Sequence, residues 1–447
     1  MRIISTTDSD FSLQLERLTG RFAGQDAQPA AAQRKTIEVF GKPLAPAEVV
    51  CTIVDAVRER GDDAVLEYAA KLDGYTGTAA ALRVPADAID ASVDRISPEL
   101  WAALQKAASN VHRYQEHVLV RPPDELRVGG RRMRARYRPV NVAGVYVPGG
   151  LAPYPSSVIM GAVPAVAAGV KRVYVCSPAR GGAVAPAVLA AARASGVDEI
   201  YALGGVGAIA AMAFGTATIP RADKIVGPGN YFVTLAKKEI YGSADIDLFA
   251  GPSEILVLAD DTADPAWVAA DMLSQAEHGM MASALLVTTS RELAENVQRK
   301  IGEHLEILPN RATAEESMNL YGAAIVAESI DQCIDLANRI APEHLEILLD
   351  DPEQYVERIE NAGAIFVGPH TPEPVGDYIA GSSHILPTGG TARFFSGLSA
   401  NSFLKRTSIV SYSADALAED VDDISAIARA EGFYAHALSA EIRNSKR

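Results

Sequence analysis

Two stretches of this chain, residues 142–242 and the residues from Glu254 onward, alternate short apolar strands with helices. No other feature narrows the possible folds as much. In the first stretch GVYVPGG, RVYVCSP, EIYALGG and DKIVGPGN each run into a Gly- or Pro-bearing turn and then a helical pattern. In the second, EILVLAD, ALLVTTS and GAAIVAES do the same. These strands are apolar on both sides, as parallel strands covered by helices on both faces must be. The chain is therefore predicted to be α/β, with two Rossmann-like open α/β units. Their similar length suggests a duplicated unit, flanked by helical N- and C-terminal arms.

The predicted divisions follow from this alternation. Residues 1–35, mixed and polar, read as an arm. Residues 36–141 together with 253–395 make a discontinuous first α/β domain, and 142–252 make a second. Residues 396–447 read as a tail of helical and irregular pattern. Ahead of the first array lie helical patterns at Ala45–Arg60, Asp63–Leu72 and Ser97–Val118, the last opened by Ser97 and Pro98. The basic stretch Arg121–Arg138 fits a hairpin carrying Arg131, Arg132, Arg134 and Arg136, either solvated or contacting an anion.

A net charge of −15 argues against a nucleic-acid binder, which would carry a basic face. Cys51, Cys176 and Cys333 are far apart and form no CxxC pair, so thiols buried as small apolar groups are expected. The N-terminus lacks the apolar core of a signal peptide, and no run approaches 18 apolar residues. A cytoplasmic protein, with no membrane partner, is the expectation.

The polar groups able to do chemistry fall in a few segments. In Asp247–Gly279 a Gly-Pro-Ser-Glu turn leads into an apolar strand and then a helix capped by Asp264, with Pro265 at its first position. Gln275 and His278, three apart, share one face near the end of that helix. Taken alone, a QxxH pair is as compatible with a solvated helix face. Further on, APEHLEI places Glu343 and His344 together in a turn. VGDYIAGSSHILPTGGTAR carries Asp377 and His384, and EGFYAH carries Glu431 and His436. These segments offer two imidazoles, a carboxylate and an amide oxygen for one divalent ion, and a separate Glu–His pair for proton transfer. Mixed nitrogen and oxygen donors suit zinc better than calcium or magnesium. GGVGAIAA formally matches a dinucleotide fingerprint through Gly205, Gly207 and Ala210. It closes the third strand of its array, however, and no acidic residue follows at the next strand end. PGGLAPYPSS and VGPGNYF are turns of the same kind, able to set backbone amides against phosphates.

DLFAGPSEILVLAD with DMLSQAEHG, RIAPEHLEI, VGDYIAGSSHILPTGGTARF, DKIVGPGN and EGFYAH are similar to the signature blocks of the L-histidinol dehydrogenase family, and in that family's order. The resemblance covers the chain from about Val49 to His436. It implies two NAD-linked oxidations of L-histidinol to L-histidine through a bound aldehyde, with one zinc ion per site. Carried over residue by residue, it implies zinc ligation by Gln275, His278, Asp377 and His436. Glu343 and His344 would be the acid–base pair, and Ser253, His384 and Glu431 would contact substrate alongside His344 and the zinc ligands. Tyr146 and Asn230 match positions that contact NAD. Most of the zinc and catalytic groups would then sit on the first domain and the cofactor on the second. The resemblance further implies a homodimer with a shared active site, to which the C-terminal tail contributes.

One departure stands out. Where the family usually reads GGAQAIAA this chain reads GGVGAIAA, so Gly207 replaces a glutamine expected at the cofactor. It motivates an alternative within the family, the oxidation of another small polar alcohol such as a sulfonated diol. His384 and Glu431, suited to a cationic imidazole substrate, oppose that reading. A zinc hydrolase is opposed by the two βα arrays and Asn230. A non-catalytic metal scaffold would leave Glu343 and His344 without a purpose.

Overall fold

The computed structural model describes residues 1–21, 36–149, 153–179, 182–197 and 199–444. Part of the expected N-terminal arm and the tip of the PGGLAPYPSS turn lie outside the described residues. The strands, in chain order, are β1 (Arg2–Ser5), β2 (Leu126–Val128), β3 (Arg131–Pro139), β4 (Val142–Tyr146), β5 (Arg172–Cys176), β6 (Ile200–Tyr201) and β7 (Lys224–Val226). They continue with β8 (Asp245–Ile246), β9 (Glu254–Ala259), β10 (Ser283–Thr288), β11 (Gly322–Val326), β12 (His344–Leu348), β13 (Ala364–Val367) and β14 (Leu404–Tyr412).

The chain forms two compact units, one of Met1–Val118 with Asn141–Phe403, the other of Leu119–Val140 with Leu404–Arg447. The first unit contains both predicted arrays as fully parallel sheets. One has strand order β6-β5-β4-β7-β8 and the other β1-β11-β10-β9-β12-β13. Numbering strands within each array, both run third-second-first-fourth-fifth, the order of a Rossmann-type sheet. The expected repeat is therefore present in the topology. In each sheet the chain reverses direction of travel between the first and fourth strands, β4 beside β7 and β9 beside β12.

Burial explains why the strands read as apolar runs. Every residue of β9, β10 and β12 is buried, because helices cover both faces. The helix Pro265–Ala276 starts where predicted, with Asp264 accepting a bond from the Ala266 amide at 2.7 Å. Ser329 caps Ile330–Ile340 through the Gln332 amide at 3.2 Å. That helix ends on Ala341, buried and left-handed at φ 51°, which swings the chain back into β12. A non-glycine residue in that conformation is held by its surroundings at some energetic cost.

Three predicted divisions are drawn differently by the structure. Arg2–Ser5 pairs in parallel with β11, so the N-terminus begins as a sheet edge and not as an arm. The helices Pro46–Arg60 and Asp62–Asp73 share a core with Tyr146, Tyr174 and Tyr201 of the five-stranded sheet, so that part of 36–141 joins the first array, within the predicted second domain. Their apolar stripes are generic and carry no mark of which sheet they will cover. The last division is the tail, which is not only helical and irregular. β14 pairs antiparallel along all of β3, and β3 with β2 forms the expected basic hairpin. This three-stranded sheet and the helices Ala414–Ala430 and Tyr434–Asn444 belong to the second unit. Cys176 and Cys333 are buried and Cys51 is half-buried, all as free thiols. Among the described residues no helix is long and apolar enough to cross a membrane.

Candidate active site

Glu343 and His344 lie where β12 begins, next to the first residues of β9. Both are buried, at 6% and 3% exposure, and this is the amino edge of the sheet. The amide of Glu254, the first residue of β9, donates to Glu343 Oε2 at 3.0 Å. The Glu254 carbonyl lies 3.1 Å from His344 Nδ1, and Gln275 Oε1 lies 2.8 Å from the same nitrogen. A carbonyl can only accept, so Nδ1 carries the proton and Nε2 keeps its lone pair. Nε2 is buried and has no hydrogen-bond partner among the described residues. Burial pushes the His344 pKa down to about 4, so the imidazole is neutral at pH 7. Burial also lifts the Glu343 carboxyl well above its usual range, helped by the nearby charges of Glu254, Asp377 and Glu373.

His344 Nε2 faces two carboxylates on the short helix Glu373–Tyr378, Glu373 Oε1 at 3.7 Å and Asp377 Oδ1 at 3.9 Å. One donor atom from each of His344, Glu373 and Asp377 falls within 4.8 Å of the others. Asp377 Oδ1 also lies 3.9 Å from His384 Nδ1, while His384 Nε2 lies 3.4 Å from Ser157 Oγ. Behind this group, Glu373 lies beside Asp377, and Glu346 beside Asp271. The Glu373 amide donates to Glu346 Oε1 at 2.6 Å. Burial and then the charge of Asp271 raise Glu346, and burial and then the charge of Asp377 raise Glu373. Glu373 Oε1 and Gln275 Nε2 are, like His344 Nε2, buried without a hydrogen-bond partner among the described residues. A divalent cation among these groups would offset the carboxylate repulsion and use the lone pairs of Glu373 Oε1 and Asp377, with Gln275 able to ligate only through its amide oxygen. The residues therefore fit a metal of mixed nitrogen and oxygen preference.

The site residues expected from sequence are distributed as follows. Gln275, Glu343, His344, Asp377 and His384 are gathered around this cluster. Ser253 is half-buried at the residue before β9, its carbonyl taking the Ser283 amide at 3.1 Å. His278 is exposed, one turn past Gln275, and its charge is felt by both His344 and His384. Glu431 and His436 are exposed on the second unit, His436 with its ring 5.2 Å from that of Phe433.

Tyr146, Gly207 and Asn230 lie at the opposite edge of the other sheet, its carboxyl edge. Tyr146 ends β4, and its buried hydroxyl accepts from the Gly205 amide at 3.2 Å, at the start of the helix Gly205–Phe214. Burial raises this phenol to about 12. Asn230 caps Tyr231–Ile240 by accepting from the Val233 amide at 3.1 Å. Between them Gly227, at φ 118°, sits so close that a Cβ would fall 2.0 Å from the Tyr146 carbonyl oxygen. Helix N-termini thus meet at the end of β4, an arrangement that fits the pyrophosphate of a dinucleotide. Gly207 adopts no left-handed φ, and a Cβ there would meet nothing within 4 Å.

Sequence reasoning passed over Glu373, Glu254, Ser157 and Arg21. Glu373 had a signal, since it precedes Asp377 by four residues and shares its helix face. Glu254 had a weaker one, a lone acid opening an otherwise apolar strand. Ser157 and Arg21 had none.

A sequence model of the histidinol dehydrogenase family matches residues 43–444. A histidinol dehydrogenase of Heliobacterium mobile is 48% identical over 415 residues, covering 93% of this chain and 96% of that one. One of Syntrophotalea carbinolica is 45% identical over 446 residues, 99% of each. The crystal structure of histidinol dehydrogenase from Elizabethkingia anophelis is similar at a TM-score of 0.89 with 34% identity, covering all of this chain and 98% of that one.

Proposed function

We propose, from the premise that the chain belongs to the histidinol dehydrogenase family, that it oxidises L-histidinol to L-histidine in two NAD-linked steps around Glu343 and His344. The observation that carries this reading is the buried pair itself, with an unpartnered His344 Nε2 beside a carboxylate cluster. Zinc, when bound, supplies a template for the imidazole and amino nitrogens of the substrate. Gln275, His278 and Asp377 would hold it with His436 of the partner subunit. NAD, when bound against Tyr146, Gly207 and Asn230, accepts the hydride of each oxidation.

In the first step His344 Nε2 takes the alcohol proton as hydride departs, leaving an aldehyde. Its low pKa keeps the lone pair available at neutral pH. In the second step Glu343 takes a proton from water adding to the aldehyde carbon. Its raised pKa makes it a stronger base than an exposed carboxylate. His344 returns its first proton to the aldehyde oxygen, giving a gem-diol. The gem-diol then gives a hydroxyl proton back to His344 as its hydride departs to a second NAD. The carboxylic acid formed loses its remaining proton to water, leaving the carboxylate of histidine. Ser253, His384 and Glu431 would orient the substrate.

The exposed apolar side chains around His436 support a homodimer with a shared site. Phe433, Tyr434, Leu438 and Ile442 are each about half exposed or more on the second unit. A surface of that kind beside a metal-ligating residue is suited to cover by a second copy. The test of function is NAD reduction at 340 nm with L-histidinol, set against other amino alcohols and a sulfonated diol. Two NADH formed per histidinol consumed is the expected result. Turnover of the diol alone would favour the alternative substrate.

A further inference from the structure

Arg21 lies far from the family blocks in sequence, yet its side chain is only 1% exposed and reaches the start of β9. Its Nη1 donates to the Ser253 carbonyl at 3.3 Å and to the Met281 carbonyl at 2.6 Å. Its Nη2 donates to Glu254 Oε2, and the other oxygen of that carboxylate takes the Gly389 amide at 2.8 Å. One guanidinium therefore joins three segments that carry proposed site residues. Ser253 immediately precedes β9, Met281 follows His278 by three residues, and Gly389 follows His384 by five.

The Ser253–Glu254 peptide is the critical link. Its carbonyl takes Arg21, and its N–H is the donor to Glu343 Oε2. The next carbonyl, that of Glu254, is the acceptor that fixes the tautomer of His344. A cation on the carbonyl side polarises the peptide and strengthens donation from its N–H. We propose that Arg21 is a positioning residue for the Glu343–His344 pair, acting through the Ser253–Glu254 peptide and the Glu254 carboxylate. A lysine cannot reproduce the effect. Its single ammonium cannot span two carbonyls and a carboxylate in the fixed plane of a guanidinium. This inference rests on the reading of Glu343 and His344 as the acid–base pair.

The experiment uses the full-length, metal-loaded protein with Arg21→Ala and Arg21→Lys, assayed with L-histidinol and NAD. Arg21→Ala should lower kcat by about 10²-fold, the cost of a small misplacement of reacting groups, with KM for NAD unchanged. Guanidinium ion at a sub-denaturing concentration should recover at least several-fold of that loss. Arg21→Lys should fall between Arg21→Ala and wild type, with a melting temperature close to wild type. Wild-type kcat in both variants would overturn the proposal. So would losses that track the melting temperature and resist guanidinium.

A second readout does not depend on the substrate. The chain has eight histidines, so selective labelling allows the His344 Nδ1 proton to be assigned by its loss in His344→Asn. That signal should shift in Arg21→Ala and return toward its wild-type position with guanidinium. An unmoved signal would sink the inference. Failure of the wild-type protein to reduce NAD with L-histidinol would sink the functional reading and leave this readout standing.

Discussion

The two parallel sheets of the first unit share one strand order and use opposite edges. In the five-stranded sheet, Tyr146, Gly207 and Asn230 gather at the carboxyl ends of the strands, where helices begin. In the six-stranded sheet, Glu343, His344 and Glu254 gather at the amino ends of β12 and β9, and Gln275 stands near the end of its helix. Helix N-termini carry partial positive charge and exposed amides, which suit phosphate. Helix C-termini carry partial negative charge, which suits a cation and compounds the carboxylates already there. On the proposed reading a repeated topology would serve two electrostatic uses, with the position of the site in each sheet following from the sign of what it is to hold. The rule that ligands collect at carboxyl edges describes the first sheet only.

The sharpest way to break this comparison is to remove metal. Chelation should abolish turnover and leave NAD affinity by titration unchanged, with zinc restoring activity. Loss of NAD binding on chelation would show that the metal also supports the cofactor at the carboxyl edge.

Next in size are the acid–base substitutions. His344→Asn should lower both oxidations by about 10²-fold or more. Glu343→Gln should impair oxidation of supplied histidinaldehyde more than that of histidinol, because only the former needs water. Neither should alter NAD affinity. Equal, mild losses on both substrates would remove the pair from the mechanism.

A mixing experiment tests whether the amino-edge site is completed by a second copy. Gln275→Ala and His436→Ala should each be inactive. After subunit exchange, half the dimers are mixed and each holds one intact site, so roughly a quarter of wild-type activity should return. A mixture that stays inactive would place both residues in the same site of one chain.

The carboxyl edge is probed by Gly207→Gln. Open space at that position and the absence of a left-handed φ permit the side chain. A hydrogen bond worth about 0.5–1.5 kcal/mol would tighten NAD several-fold, with kcat at saturating NAD unchanged. Looser binding would show that the cofactor is held differently at this turn.

The smallest effect concerns stability. Glu343 has a folded pKa above its unfolded one, so its contribution is full below the unfolded value and is lost as pH rises through the folded value. In metal-free protein Glu343→Gln escapes that loss. Its melting temperature should therefore gain on wild type as pH rises from the ordinary carboxylate range. A constant difference over that rise would contradict the burial of a titrating carboxyl.

Local pattern determined a good deal of this protein. The apolar strand runs, the caps at Asp264 and Ser329, and the Gly-bearing turns are local signals with local causes, and they foretold both arrays and their helices. The proposed catalytic and metal residues were legible only through the longer blocks that resemble the family's, because a Glu–His pair or a QxxH spacing taken alone fits a solvated turn or helix face as well. Tertiary structure decided the rest. Arg21 reaches partners 232 to 260 residues away. β1 extends the six-stranded sheet only by pairing with β11, and β14 completes the small sheet only by pairing with β3. The choice of the amino edge required the orders of both sheets to be known. An apolar period states that a face will be buried but not against what, and a lone charge states that it needs a partner but not which one. Those identities arise when distant segments compete for the same core and the same hydrogen bonds, and only the folded chain settles that competition.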